Sequence, residues 1–266
     1  MKVSVIIPTY NRAALVVRAI RSVLDQLEPA DEIIVVDDGS TDETSQVLET
    51  FGNAIRVVSR PNGGVSAARN SGIAAARYPW IAFLDSDDVW HPQKLALQKA
   101  FHRKHPSIRW SHTNEAWIRN GKPVPQRAHH AKAEGEAFYK MLDFCKIAPS
   151  TVILHKTLLK EVGVFDEKLP VCEDYDLWLR ILRRYPVGLV EAILTTKYAG
   201  HPQLSFSSHI LDRYRVEALL KHLPDKRVEA EIVKKITILE KGAKKHRNEA
   251  ISAFCARIRR RLRLPA

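Results

Sequence analysis

Phe83-Leu-Asp-Ser-Asp-Asp-Val-Trp90 is a short apolar run that ends abruptly in three carboxylates, Asp85, Asp87 and Asp88. Residues 80–84 are apolar throughout, as strands of a parallel sheet covered on both faces tend to be, so the acids fall at the carboxyl end of a buried strand. That end is where open α/β sheets bind ligands. Several acids at one strand end repel one another, and the arrangement becomes favourable when a hard divalent cation bridges them to a phosphorylated ligand. The plain alternative is a solvated turn with Asp88 near a helix start. An Asp-X-Asp triplet is too short to decide between them, and the surrounding chain must.

Working outward, the segments before this stretch repeat one grammar of strand, polar turn and helix. Residues 3–7 form a first strand, stopped by Pro8, and Thr9-Tyr10-Asn11-Arg12 turns into a helix reaching about Leu27, with Leu15, Ala19, Val23 and Leu27 spaced by four. A second buried strand, residues 32–36, ends in Asp37-Asp38-Gly39-Ser40-Thr41-Asp42 before a helix carrying Val47, Leu48 and Phe51, with Ser40 or Thr41 as its cap. A third strand at 55–58, the loop Asn62-Gly63-Gly64 and an alanine-rich helix over 65–77 lead to the central strand. This alternation predicts a parallel, twisted sheet with helices on both faces and right-handed crossovers.

Beyond the acids, Pro92 suits the first turn of a helix over 94–104. The second half is less regular: a strand at 108–118, a mobile loop at 119–133, a strand at 149–154 and a short helix at 156–162. His129 and His130 are adjacent, so they share neither a helix face nor a strand face and read as loop histidines instead of a metal pair. Val171-Cys-Glu-Asp-Tyr-Asp-Leu-Trp-Leu-Arg180 places Glu173, Asp174 and Asp176 at the start of a helix. On their own these acids need do no more than oppose the helix dipole, at about 0.3–1 kcal/mol each.

Bulk properties narrow the classes. The 266 residues are 45% hydrophobic and 27% charged, as in a folded globular chain. No apolar run approaches the roughly 20 residues that span a bilayer, and the amino terminus enters a strand directly, so a cytoplasmic location is expected. Cys145, Cys172 and Cys255 are odd in number and widely spaced, which suggests reduced thiols and neither a disulfide framework nor a zinc site. Net charge is +12, but residues 221–266 carry 14 Lys and Arg against 5 Asp and Glu. The basicity belongs to the tail, which argues against a nucleic-acid-binding core.

Four blocks in order, Val3-Ser-Val-Ile-Ile-Pro-Thr-Tyr-Asn-Arg12, Val35-Val-Asp-Asp-Gly-Ser-Thr-Asp42, Gly64-Val-Ser-Ala-Ala-Arg-Asn70 and Phe83-Leu-Asp-Ser-Asp-Asp88, resemble those of glycosyltransferase family 2. The resemblance covers residues 2–205 and implies the GT-A fold, an α/β domain with a mostly parallel Rossmann-like sheet. It implies a nucleotide-sugar-binding half at 1–105, an acceptor-binding half at 106–205 and, outside the family pattern, a basic helical extension at 206–266. It also implies an inverting, metal-dependent transfer of a sugar from a nucleoside diphosphate, uridine being the commoner family choice, to a hydroxyl of a glycan or lipid-linked acceptor. Cell-surface polysaccharide or glycolipid synthesis is the expected setting.

By this resemblance Pro8, Thr9, Tyr10 and Arg12 line the base and ribose, Asp38 accepts from the base, and Asn62 and Arg69 complete the nucleotide pocket. Asp85 and Ser86 contact the donor, and Asp87 binds Mn²⁺ or Mg²⁺. Glu173-Asp174 resembles the family's catalytic-base motif, with Asp174 as the base and Glu173 its rival. Lys197-Tyr-Ala-Gly-His-Pro-Gln-Leu-Ser205 resembles a terminal histidine block, with His201 as a further metal or diphosphate ligand. The Gln-X-X-Arg-Trp block of processive members is missing, Leu182-Arg-Arg-Tyr185 being no substitute, so single sugar additions are expected.

Two other readings remain. A dinucleotide-dependent oxidoreductase would share the alternation, but the first strand is not followed by G-x-G-x-x-G. A catalytically silent nucleotide-sugar-binding relative would be expected to lose an acid at 87 or 174, and both are present. In the tail, Ile251, Phe254, Ile258 and Leu262 make one apolar helix face, with Arg257, Arg259, Arg260, Arg261 and Arg263 around the rest. Such a helix is expected to dock on an anionic membrane surface; the alternative is that the same face packs on the domain.

Overall fold

The computed structural model describes residues 1–126, 130–199 and 211–263. Strands β1 (Val3–Thr9), β2 (Glu32–Asp37), β3 (Arg56–Ser59) and β4 (Trp80–Phe83) alternate with helices α1 (Ala13–Leu24), α2 (Thr44–Glu49) and α3 (Val65–Ala75). β3, β2, β1 and β4 lie side by side and run parallel. β1, β2 and β4 are buried on both faces, with alternate residues entering different cores, while the edge strand β3 is largely exposed. Val3, Val5, Ile7, Ile33 and Val35 meet α1 and α2 on one side, while Ile6, Ile34, Val36, Ile81 and Phe83 meet α3 on the other. The α/β class and the two-sided cover are as expected.

The sheet then turns mixed. β5 (Val89–Trp90), α4 (Lys94–Lys104), β6 (Trp110–Arg119), β7 (Lys122–Val124), β8 (Ile153–His155), α5 (Lys156–Val162), α6 (Glu173–Leu182) and β9 (Gly188–Ala199) follow. β8 pairs antiparallel with both β4 and β6, and β9 runs parallel to β6 and antiparallel to β5. Between Thr113 and Glu115 the β6–β9 register shifts twice. β9 takes up extra residues there, the kind of bulge that re-aims side chains.

Several local expectations are corrected. β1 does not stop at Pro8 but pairs through it to Thr9, with Pro8 opposite Val36. Ile6 O accepts from Leu84 N, so Pro8, two residues on, faces the same side, where β4 has already ended and no amide hydrogen is needed. α1 ends at Leu24, and Leu27 is 70% exposed; the buried face is Val16, Ala19, Ile20 and Val23. Neither Ser40 nor Thr41 caps α2. Asp42 Oδ1 accepts from Thr44 N at 3.0 Å, while Ser40 Oγ accepts from Asn11 N and Asn11 Oδ1 accepts from Thr41 N. The segment assigned to a mobile loop opens with a hairpin: Asn120 and Gly121 both have positive φ and join β6 to β7. The strand expected at 149–154 begins instead as a 3-10 turn, Pro149–Thr151.

The carboxyl-terminal helices are α7 (Leu211–Leu219), α8 (Lys226–His246) and α9 (Glu249–Leu262). Asp225 caps α8 by accepting from Arg227 N and Val228 N, and its other oxygen accepts from Arg183 and Tyr139, tying the helix start to the domain. Ile251, Phe254 and Ile258 are buried in the same core cluster as Trp178 and Ile236. The apolar face of α9 is therefore already occupied and does not lie in a membrane interface. Arg259 is held by Glu240 through two contacts, whereas Arg257, Arg260, Arg261 and Arg263 are exposed.

Candidate active site

A cleft of about 950 Å³ opens at the carboxyl ends of β1, β2 and β4. Pro8, Thr9, Tyr10, Arg12, Asp38, Asn62, Arg69, Asp85, Ser86, Asp87, Glu173 and Asp174 all line it. They come from segments up to 166 positions apart, and every site residue named from the sequence is among them except His201, which lies outside the described residues.

The end of the cleft beside β1 and β2 is stitched by the turns that follow those strands. Gly39 has φ +81°, and a Cβ there would stand 2.8 Å from Asn62 N, so only glycine lets the β2 turn close against the Asn62 loop. Asp38 holds that loop. Its Oδ1 accepts from Arg60 Nη1 at 2.9 Å, and its Oδ2 from Gly64 N at 2.7 Å, with Gly63 N between them. Three donors of the chain thus already occupy this carboxylate, which leaves it little further accepting capacity. Arg60 was not read from the sequence as a site residue.

The acid triplet after β4 is neutralised acid by acid. Asp85 Oδ1 accepts from Arg69 Nη2 at 2.6 Å, Asp87 pairs with Arg12 at 2.8 Å, and Asp88 lies 3.4 Å from Lys197 Nζ. Ser150 buttresses the turn by accepting from Asp85 N and donating to Asp88 Oδ2 at 2.6 Å. Burial, with Asp87 and Asp85 close by, pushes the Asp88 carboxyl up to about 7 in spite of Lys197. Burial works against charge on Lys197 too, but Asp88 and Glu115 more than offset it and raise its pKa. Arg18 adds a contact to the same turn, donating to Asp87 O while lying 3.9 Å from the centre of the Tyr198 ring.

The second acid group opens α6. Cys172, in a left-handed conformation at φ 63°, turns the chain into the helix. Glu173 accepts from Arg69 Nη1 at 2.6 Å, so one guanidinium, 3% exposed, joins Asp85 to Glu173 across 88 residues. Burial raises the Glu173 carboxyl to about 7 against the pull of Arg69. Asp174 makes no salt bridge among the described residues; its oxygens accept from its neighbour's amide, Tyr175 N, and from Cys145 Sγ. Burial raises its pKa as well, with Arg69 opposing. A carboxylate with a raised pKa, lining a cleft and held in no ion pair among the described residues, is suited to taking a proton.

The far side of the cleft comes from β6 and β9. Glu115 pairs with Lys132 at 3.0 Å and accepts from Trp117 Nε1 at 2.8 Å. Burial raises its pKa, but Lys132 and Lys197 more than offset this and keep it below the ordinary glutamate value. None of Lys197, Glu115, Lys132 or Ser150 was singled out from sequence. Apart from Trp117, two residues from Glu115, their side-chain partners lie 17 to 109 residues away, so no local pattern marks them.

Among the described residues no group of three His, Cys, Asp or Glu side chains is arranged to hold a metal ion alone. The donors present do fit a hard divalent cation that takes most of its oxygens from a ligand's phosphates, since Asp87 offers a carboxylate at the cleft wall.

The family model for glycosyl transferase family 2 matches residues 4–143. An uncharacterized glycosyltransferase of Rickettsia bellii is 36% identical over 189 residues, covering 70% of this chain but only 27% of that one. The Escherichia coli enzyme WfgD, a UDP-Glc:alpha-D-GlcNAc-diphosphoundecaprenol beta-1,3-glucosyltransferase, is 34% identical over 200 residues, covering 74% of this chain and 76% of its own. Among solved structures, residues 1–349 of S. aureus TarS with UDP-GlcNAc superpose with a TM-score of 0.70 at 24% identity, over 89% of this chain and 72% of that one.

Proposed function

The chain belongs to glycosyl transferase family 2 and has the GT-A fold, and from that premise we propose that it is an inverting, non-processive transferase. It moves a sugar from a UDP-sugar to a hydroxyl of a glycan or lipid-linked acceptor, in cell-surface polysaccharide or glycolipid synthesis. The similarity to WfgD, whose name gives UDP-Glc and a diphosphoundecaprenol-linked GlcNAc, supports that choice of donor and acceptor class. Family membership leaves no place for an oxidoreductase.

The carrying observation is the contrast within one cleft between paired acids at the end of β4 and Asp174, which has no ion pair among the described residues. Pro8, Thr9, Tyr10 and Asn62 receive the base and ribose. Arg12, beside Asp87, faces the diphosphate, and Arg69 fixes Asp85 and Glu173 so that both strand end and helix start keep their places. Asp174 takes the proton from the acceptor hydroxyl as that oxygen attacks the anomeric carbon from the side opposite the leaving nucleoside diphosphate, which inverts the centre. Asp87, with His201, would hold Mn²⁺ or Mg²⁺, which supplies positive charge to the leaving diphosphate. Glu173 is the weaker candidate for the base because its carboxylate is engaged by Arg69.

No helix among the described residues is long and apolar enough to cross a membrane. Docking on an anionic leaflet would rest on the exposed arginines of α9 alone, and a cytoplasmic protein held at the inner face of the membrane is the reading this supports.

Purified protein with UDP-Glc or UDP-GlcNAc and Mn²⁺ or Mg²⁺ should release UDP slowly, and chelation should stop it. In Asp87→Asn the metal-dependent part of donor binding should be lost. Tight UDP binding without any UDP release from either donor would instead identify a silent sugar-nucleotide-binding relative.

A further inference from the structure

The sheet order carries the cleft from β2 and β1 past the acids of β4 to β6 and β9, and none of the donor contacts above comes from β6. At this far end Glu115 is 6% exposed and lines the cleft. Its Oε1 is taken by Trp117 and Lys132, but its Oε2 is buried with no hydrogen-bond partner among the described residues. A buried oxygen of this kind is a standing demand for a donor.

What adjoins it narrows that donor's chemistry. The double register shift in β6–β9 sets Trp117 opposite Lys197, and the indole is pinned by its own N–H on Glu115. The rings of Trp117 and His130 are 4.7 Å apart and those of His130 and Phe144 5.8 Å, forming one aromatic wall along the cleft. A carboxylate oxygen beside an aromatic plane suits a pyranose, whose hydroxyls donate and whose C–H face packs on a ring. An ionised carboxylate only accepts, so it disfavours an acidic sugar at the same place.

We propose that Glu115 and Trp117 form the acceptor-sugar subsite, with Glu115 Oε2 accepting a hydrogen bond from a hydroxyl of a neutral pyranose and Trp117 packing on its apolar face. This rests on the glycosyl-transfer reading. It also assigns Lys132 and Lys197 a positioning role: Lys132 pairs with Glu115, and the charge of Lys197, itself paired with Asp88, favours the ionised carboxylate.

The test uses the full chain with UDP-Glc or UDP-GlcNAc as donor and a short-chain alkyl α-D-GlcNAc diphosphate as acceptor probe. Wild-type UDP release should be stimulated by the probe. In Glu115→Gln the KM for the probe should rise tenfold or more while the KM for the donor stays within twofold. Trp117→Leu should behave alike, and Trp117→Phe should recover most of the loss. UDP binding by each variant reports that the fold is intact. An unchanged acceptor KM in both variants, an equal rise in donor KM, or a wild type that hydrolyses the donor yet ignores the probe would overturn the assignment. Release of no UDP by wild type from either donor would count against the glycosyl-transfer reading itself.

Discussion

Two groups of acids face the same cleft and are handled differently. After β4, Asp85, Asp87 and Asp88 each have a cation, from Arg69, Arg12 and Lys197 respectively. At the start of α6, Glu173 shares Arg69 with Asp85, and Asp174 has no ion pair among the described residues. A carboxylate that must bind charged groups is stabilised by opposite charge, whereas one that must take a proton is weakened as a base by a fixed counter-cation. On the proposed reading, pairing separates binding acids from the proton acceptor, where sequence pattern alone shows only clustered carboxylates.

The sharpest way to break this comparison is Asp174→Asn. It keeps the shape, and one oxygen to accept from Tyr175 N, but removes proton acceptance. Turnover should fall by about two to four orders of magnitude, measured as kcat with saturating donor, while UDP binding is spared. A comparable loss in Glu173→Gln with Asp174→Asn active would reverse the two roles.

Next in size is Arg69→Met, which leaves Asp85 and Glu173 without their shared partner. Removing one member of a buried ion pair costs about 3–5 kcal/mol, so denaturant unfolding should show a loss on that scale. A loss under about 1 kcal/mol would mean that the acids do not depend on this guanidinium.

Acidity sharpens the comparison further. Glu173 has its folded pKa raised to about 7, above the ordinary glutamate value, so its protonated form is favoured by folding. Its stabilising contribution is fully present below the unfolded pKa and is lost as pH rises through 7. The melting temperature of wild type should therefore fall more steeply from pH 5 to pH 7.5 than that of Glu173→Gln, and parallel curves would refute the raised value. With Asp174 as the proposed base, turnover moves the opposite way: kcat should fall on acidification, beginning above the usual aspartate range.

How much of this was legible depends on distance along the chain. Each βα unit of the first half ends in its own polar turn, so the strand, the acids and the following helix are read together, and Asp85, Asp87 and Arg69 stood out. Errors there were matters of local geometry. A spacing of four drifts about 40° per step around a helix, which carried the presumed face of α1 past Val23 and out to the exposed Leu27. Pro8 read as a strand end because the early finish of β4, which removes the need for its amide hydrogen, is a tertiary fact. In the second half the information is non-local. Glu115, Lys132 and Lys197 acquire meaning only when β6 and β9 pair with shifted register. Asn120-Gly121, by contrast, was an available hairpin signal inside a segment assigned to a loop.

The smallest effect belongs to the tail, where the apolar face of α9 is buried and charge alone remains. Arg261→Gln should weaken binding to anionic vesicles by about 1 kcal/mol, roughly fivefold, and added salt should abolish the binding in wild type. Salt-insensitive vesicle binding would show that some apolar surface inserts after all.

The guanidinium of Arg69 has one more consequence, which concerns the order in which the protein is made. Its two partners are Asp85, sixteen residues later, and Glu173, more than a hundred later. A nascent chain emerging from the ribosome presents the first four strands well before α6 exists, so for that interval Arg69 can pair with Asp85 but not with Glu173. The first four strands cannot complete this pairing on their own. Only a chain translated through Glu173 can complete it, so a product truncated before α6 leaves the Arg69 guanidinium without its second carboxylate.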